Sequence, residues 1–176
     1  SAFSAADTST KPVLVKILGK LAGLPALQMV TSEAVLRNGD LRDSAVRALA
    51  EWPDDAPLDA LLTLAESSEN PVHRVLALRG AVRMLGPISS HSNEHRLGTL
   101  KQLLACATSD DDRKTVISGL GTVRSADALT VLEGCLGSAA VAEEAGTALV
   151  QTALAVNRTH RQKAEAALQR VASTEG

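Results

Sequence analysis

The sequence predicts an all-α protein of about ten helices arranged in antiparallel pairs. Apolar residues make up 45% of its 176 residues and are mainly Ala, Leu and Val, whereas aromatic residues make up only 1%. Small and unbranched side chains favour closely packed helices, while sheets normally carry more aromatic and β-branched residues. Apolar residues also recur at helical spacing, and small residues return at one helical position about every 30 to 40 residues.

The first five helices are bounded by proline, glycine and asparagine. Pro12 suits the first turn of the first helix. Asn38 and Gly39 predict the end of the second helix, and Asp40 is placed to N-cap the third. The predicted spans are residues 11–22, 26–38, 40–52, 58–67 and 72–85.

The last five helices follow a loop at residues 86–93, which is rich in Gly, Pro and Ser. Ser92 or Asn93 is a suitable N-cap for the sixth helix, with Glu94 in its first turn. The acidic run of residues 110–112 is expected to start the seventh helix rather than to act in catalysis. The predicted spans are residues 94–108, 111–123, 125–136, 139–156 and 160–172.

Small residues mark an internal repeat. When alternate helices are aligned, the same helical position is occupied by Ala48, Gly80, Gly119 and Ala148. A small residue is what a stack requires where neighbouring helices cross closely. The partner helices also align, on Leu61, Leu100 and Leu129 and one turn later on Leu64, Leu103 and Leu132. This pattern predicts an α-solenoid, a stack of helical hairpins.

Two segments resemble a known repeat family. Residues 49–53 read Leu-Ala-Glu-Trp-Pro, and residues 74–80 read Arg-Val-Leu-Ala-Leu-Arg-Gly. They resemble the HEAT repeats found in large exported bacterial proteins, beside sugar-active or cytochrome-like domains. The resemblance spans residues 13–171 and implies a right-handed α-α superhelix whose inner helices line a concave face. It is also the only basis for expecting an exported, periplasmic or extracellular protein.

The HEAT resemblance pairs helices two with three, four with five, six with seven and eight with nine. The first and last helices then lack partners, so we expect a piece of a longer array. We expect residues 11–176 to form a single repeat domain. Residues 1–10 are expected to be flexible, either a linker, a remnant of cloning or the flank of a removed signal.

The charge balance argues against two classes of partner. The net charge is −2 and the sequence pI about 6.1, so there is no overall positive field to attract nucleic acid. Charged residues interrupt every apolar run before the roughly 18 to 20 residues that a membrane span requires. We therefore expect neither nucleic-acid binding nor membrane insertion.

The inner helices supply the residues predicted to bind a partner. They form two polar rows, one directly before the small repeat residue and one a turn later. The rows are cationic in the first half of the chain and neutral in the second. Such a face suits an acidic peptide or an anionic glycan. The alternative is that these residues are only the solvated side of amphipathic helices. The candidate binding residues are Arg47, Glu51, Arg79, Arg83 and Gln151.

Four further residues are given structural roles. Arg42, Arg74 and Arg113 lie near the starts of inner helices, where each guanidinium can reach loop carbonyls or the capping acid of the next unit. We expect them to form a ladder between repeats. Trp52, before Pro53, is expected to be a core plug rather than a stacking platform.

The histidines and cysteines give weak signals. His91 and His95 have the separation of a metal pair on a helix, but the loop assignment of His91 and the lack of a third ligand argue against a site. His73 and His160 are expected at the surface. The two cysteines, 106 and 135, are expected to be buried thiols, because neighbouring helix axes stand about 8 to 10 Å apart, too far for a disulfide.

These features favour a non-catalytic scaffold that binds another protein or a neighbouring domain through its concave face. The alternative is an accessory module of a larger exported carbohydrate-active or redox enzyme. No nucleophile elbow or phosphate-binding loop is present in the sequence, so we expect neither an enzyme nor a cofactor.

Overall fold

The computed structural model describes residues 3, 6–35 and 39–174. Within these residues the chain forms ten α-helices and no strand, which confirms the all-α fold class. In chain order the helices are α1 Lys11–Leu21, α2 Leu24–Ala34, α3 Asp40–Ala50, α4 Leu58–Ser67, α5 Pro71–Met84, α6 Asn93–Cys106, α7 Asp110–Leu120, α8 Ala126–Cys135, α9 Ala142–Val156 and α10 Arg161–Thr174.

Several predicted helix starts are confirmed. Pro12 lies in the first turn of α1, where a missing backbone N–H costs nothing. The Ser92 hydroxyl caps α6 by accepting a hydrogen bond from the backbone N–H of His95 at 3.2 Å. The acidic run 110–112 occupies the first turn of α7, where the helix dipole favours negative charge.

The boundary between α2 and α3 differs from the prediction. Asp40 is the first residue of α3, and its side chain makes no capping hydrogen bond. Gly39 precedes it with a φ of 112°, a backbone conformation that residues other than glycine rarely adopt. The chain therefore turns at Gly39 and the helix begins directly after it. The predicted helix end at Asn38 lies outside the described residues.

The chain divides into two compact units, Ser1–Met84 and Leu85–Gly176. In the first unit α3 packs against α1, α2 and α5, and α4 packs against α5. In the second unit α6 packs against α7, α8 against α9 and α10, and α9 against α7 and α10. The helix pairs expected from the repeat therefore contact each other within each unit. The single repeat domain stays a prediction.

The core follows the predicted repeat. The leucines aligned between the outer helices are all buried, and their side chains fill the space between paired helices. Leu61, Leu100, Leu103 and Leu132 are fully inaccessible to solvent. Trp52 is also fully buried, in agreement with a role in the core.

Neighbouring helices approach each other closely at glycine and alanine. A Cβ atom on Gly80 of α5 would stand 2.8 Å from the Cα atom of Ala50 in α3. A Cβ atom on Gly121, just after α7, would stand 3.0 Å from the Cα atom of Ala148 in α9. A real Cβ almost never comes within 3.0 Å of another heavy atom. The small residues thus set the distance between neighbouring inner helices.

No helix in the described part of the chain is both long enough and apolar enough to cross a lipid bilayer. The longest described helix, α9, has 15 residues. A transmembrane helix needs about 20 apolar residues.

We predict that Gly80→Ala destabilises the protein by about 1 to 3 kcal/mol, because the added methyl group overlaps the α3 backbone, which cannot move aside cheaply. The measurement is the free energy of unfolding in urea. The matched control is Gly98→Ala in α6, where an added Cβ meets nothing within 4 Å.

Gly98→Ala should instead stabilise the protein by about 0.5 to 1 kcal/mol, since alanine is the better helix former. Equal effects of the two substitutions would contradict the close packing of α5 on α3.

Candidate functional site

A surface groove in the first unit brings together two of the predicted binding residues. Arg47 and Glu51 of α3 line it with Lys16 and Lys20 of α1, and its volume is about 500 Å³. All four residues are exposed. We call this surface the α1/α3 groove, defined by Lys16, Gly19, Lys20, Arg47, Ala48 and Glu51.

The floor of the α1/α3 groove is a close helix crossing. A Cβ atom on Gly19 would stand 2.9 Å from the Cβ atom of Ala48, so α1 and α3 nearly touch there. Lys16 lies three residues before Gly19 and Lys20 one residue after it, on consecutive turns of α1. Arg47 directly precedes Ala48. The crossing thus draws three cationic side chains to one opening.

The charges of the groove are not neutralised internally. Three cations, from Lys16, Lys20 and Arg47, face a single carboxylate, that of Glu51. Within the part of the chain that the structure describes, none of the four has an ion-pair partner. Nearby unpaired cations in a concave site favour an anionic ligand, because their fields add at the opening.

Arg83 has a structural contact that the sequence did not predict. Its Nη2 atom donates hydrogen bonds to the backbone carbonyls of Ala50 at 3.0 Å and Trp52 at 2.6 Å. Ala50 is the last residue of α3 and Trp52 lies two residues beyond it, so both carbonyls stand at a helix end, where backbone acceptors lack partners in the helix. Arg83 therefore ties α5 to α3, although its side chain also remains partly open to solvent.

The other two predicted binding residues lie apart from the α1/α3 groove. Arg79 is exposed on α5. Gln151 lines a different pocket of about 640 Å³ in the second unit, together with Glu143 and Thr147 of α9 and Val171 of α10. The structure therefore joins Arg47 with Glu51 and leaves Arg79 and Gln151 outside that groove.

A buried arginine organises the second unit. Arg96 of α6 is only 5% exposed, and its Nε atom donates to the Leu85 carbonyl at 2.8 Å. Its Nη2 atom donates to the Thr122 hydroxyl at 2.6 Å and to the Thr122 carbonyl at 3.3 Å. Burial, and next the charge of Arg124, lower the pKa of Arg96 from its ordinary value. Arg96 thus joins the start of α6 to the end of α7.

The predicted arginine ladder takes varied forms. The Nε atom of Arg42 donates to the Ala34 carbonyl at the end of α2, its partner helix. Arg113 lies 3.5 Å from Asp110 in its own first turn. The Nε atom of Arg74 is buried and has no hydrogen-bond partner among the described residues. A ladder between successive repeats stays a prediction.

The expectation that His73 lies at the surface is wrong. Its ring is 3% exposed, and its Nε2 atom lies 2.6 Å from the Asp43 carboxylate of α3. A carboxylate can only accept, so Nε2 carries the proton and donates. The burial follows from the packing of α5 on α3, which encloses the first turn of α5. His160 is exposed, as predicted.

The remaining candidates show packing rather than chemistry. The rings of His91 and His95 stack with their centroids 4.5 Å apart. No group of three or more potential metal ligands occurs within the described residues. Cys106 and Cys135 are thiols, as predicted, but they are half-buried rather than fully buried. Burial raises the pKa of Cys135.

We predict that Arg83→Ala destabilises the protein by about 1 to 2 kcal/mol, because two carbonyls at the end of α3 lose a charged donor. Arg79→Ala, one turn earlier on α5, should change stability by no more than about 0.5 kcal/mol. Chemical unfolding of the two variants measures the difference. Equal stability of the two variants would show that Arg83 does not hold α5 to α3.

We predict that Arg96→Met destabilises the protein by about 2 to 4 kcal/mol, because it leaves the Leu85 and Thr122 carbonyls without their donors. Arg124→Met is the control, since only the backbone of Arg124 has a hydrogen bond to the same region. It should leave stability within about 0.5 kcal/mol. Thermal unfolding of both variants makes the comparison, and a tolerated Arg96→Met would contradict this role.

Comparison with known proteins assigns no family. The sequence matches no protein-family model, and no curated protein shows a significant match. The HEAT resemblance therefore stands on the residue patterns and on the helix pairs within each unit. The feature of the structure that bears most directly on function is the α1/α3 groove.

Proposed function

We propose that the protein is a non-catalytic binding scaffold that holds an acidic segment of another protein, or of a neighbouring domain, on its inner helices. The observation that carries this proposal is the α1/α3 groove. It places Lys16, Lys20 and Arg47 around one opening of about 500 Å³, with no internal carboxylate paired to them among the described residues.

The chemistry of the groove favours carboxylates on the ligand. The Arg47 guanidinium can donate two parallel hydrogen bonds to one carboxylate, and each lysine adds a mobile point charge. Glu51 at the same opening disfavours a ligand with uninterrupted negative charge on that side. An acidic side chain spaced by neutral residues suits this arrangement better than a continuous polyanion such as nucleic acid.

The proposal includes the architecture expected from the HEAT resemblance. Close crossings between inner helices recur at small residues in both units, as a HEAT-like right-handed solenoid requires. In that fold the inner helices form the concave binding face. The exported location implied by the resemblance belongs to the same proposal.

A second function is favoured by one observation. Several apolar side chains of α1 are exposed, with Leu21 at 73%. An exposed apolar face at the edge of a helical layer is what an accessory module needs to pack against another domain of a larger enzyme. The alternative is thus a structural module of an exported carbohydrate-active or redox protein.

Titration of the isotopically labelled protein with a six-residue peptide of alternating glutamate and serine tests the scaffold function. We predict amide shifts concentrated at Lys16, Lys20 and Arg47, and a loss of affinity of about tenfold in Arg47→Glu, equivalent to about 1.4 kcal/mol. Arg79→Glu is the matched control, because Arg79 is exposed on α5 outside the groove.

Hexalysine should produce no such pattern. Shifts spread evenly over both units, or equal affinities of the Arg47→Glu and Arg79→Glu variants, would contradict the proposed function.

A further inference from the structure

The exposed side of α1 carries a straight apolar stripe. Val13, Ile17 and Leu21 are 54%, 48% and 73% exposed. Residues four apart in a helix lie nearly above one another, so the three side chains form one ridge about 12 Å long. We call these three residues the α1 stripe. A ridge of this kind is uncommon on a helix face that only meets water.

The α1 stripe lies opposite the contact with α3. Val15 and Gly19 are buried, and Gly19 meets Ala48 of α3. Ile17 is two residues from each of them, so its side chain points about 200° around the helix axis from theirs, toward the opposite side. The stripe therefore points away from the contact between α1 and α3.

Two lysines border the α1 stripe along one edge. Lys16 follows Val13 by three residues, and Lys20 follows Ile17 by three, so each stands beside its apolar neighbour. The same two lysines line the α1/α3 groove. The apolar ridge and the cationic groove thus form one continuous surface around the exposed half of α1.

We propose that the α1 stripe binds an amphipathic helix whose apolar ridge is bordered by Asp or Glu. A helix is the natural occupant, because side chains four residues apart on the ligand helix form a ridge of the same spacing. That ridge can lie in the groove beside the α1 stripe. The acidic border meets Lys16 and Lys20. A second copy of α1 does not supply this complement, since its sequence contains no acidic residue. The inference rests on the proposed binding function and names its ligand.

The probe is a labelled helical peptide of about 15 residues with Leu at every fourth position and Glu bordering that ridge on one side. A matched peptide carries Lys in place of each Glu. Fluorescence anisotropy with the full chain should show at least about tenfold tighter binding of the glutamate peptide.

Ile17→Asp should weaken binding of the glutamate peptide at least about tenfold, since it places a charge in the apolar ridge. Leu154→Asp on α9 is the matched control, because Leu154 is also an exposed apolar residue, at 67%, and lies in the second unit. Ile17 is already half open to water, so the variant should fold, and Leu21→Asp repeats the test at a second position.

Equal affinity for the two peptides, or unchanged binding by both Ile17→Asp and Leu21→Asp, would overturn the inference. So would a dimer in light scattering that Ile17→Asp dissociates, because a second copy would then cover the stripe. Amide shifts that the alternating glutamate–serine peptide still produces in the Ile17→Asp variant would show that the groove function survives such a failure. If the amide shifts are lost in Arg47→Glu but kept in Ile17→Asp, the groove and the α1 stripe bind their ligands separately, and the failure of one proposal is distinguished from the failure of the other.

Discussion

The structure depends on how closely neighbouring inner helices approach. In the first unit α3 contacts α1 through Ala48 and α5 through Ala50, and each alanine faces a glycine on the neighbouring helix. Any larger side chain at Gly19 or Gly80 would separate the helices. The short distance buries the leucines of the paired helices and brings charged residues of α1 and α3 to a common groove. The close packing of the helices and the charged groove therefore have one cause.

Close approach also places the end of one helix beside a neighbouring helix, and polar side chains of that neighbour donate hydrogen bonds to the carbonyls at the helix end. Arg83 donates to the carbonyls of Ala50, the last residue of α3, and of Trp52 just beyond it. Thr152 of α9 donates to the carbonyl of Gly121 at the end of α7. Arg96 does the same with Thr122. These donors satisfy carbonyls that a helix cannot pair internally. A cationic residue on α3 or α5 can therefore hold two helices together, as Arg83 does, or stay exposed at a groove, as Arg47 does.

Much of the fold was predictable from the sequence, because periodicity and capping residues act locally. The ten helices, the Ser92 cap and the buried leucines all follow from patterns within one or two turns. The site was predictable only in part. Arg47 and Glu51 were found by repeat alignment, but Lys16 and Lys20 were missed. The available signal was Gly19, which stands one repeat before Ala48 and marks α1 as an inner helix.

Partners distant in sequence could not be predicted in the same way. The pairing of His73 with Asp43 depends on which side of α5 meets α3, which local patterns do not specify. From the sequence alone Arg96 looks like an ordinary surface arginine, because its acceptors on Leu85 and Thr122 lie 11 and 26 residues away in the chain. Such contacts depend on tertiary packing, which overrides the usual preference of charged residues for water.

The central claim is that a glycine and an alanine set the distance between α1 and α3. A double-mutant cycle on the free energy of unfolding tests it most directly. We predict that Gly19→Ala costs about 1 to 3 kcal/mol alone, and at least about 1 kcal/mol less when Ala48→Gly removes the opposing methyl group. The same cost of Gly19→Ala in both backgrounds would contradict the claim.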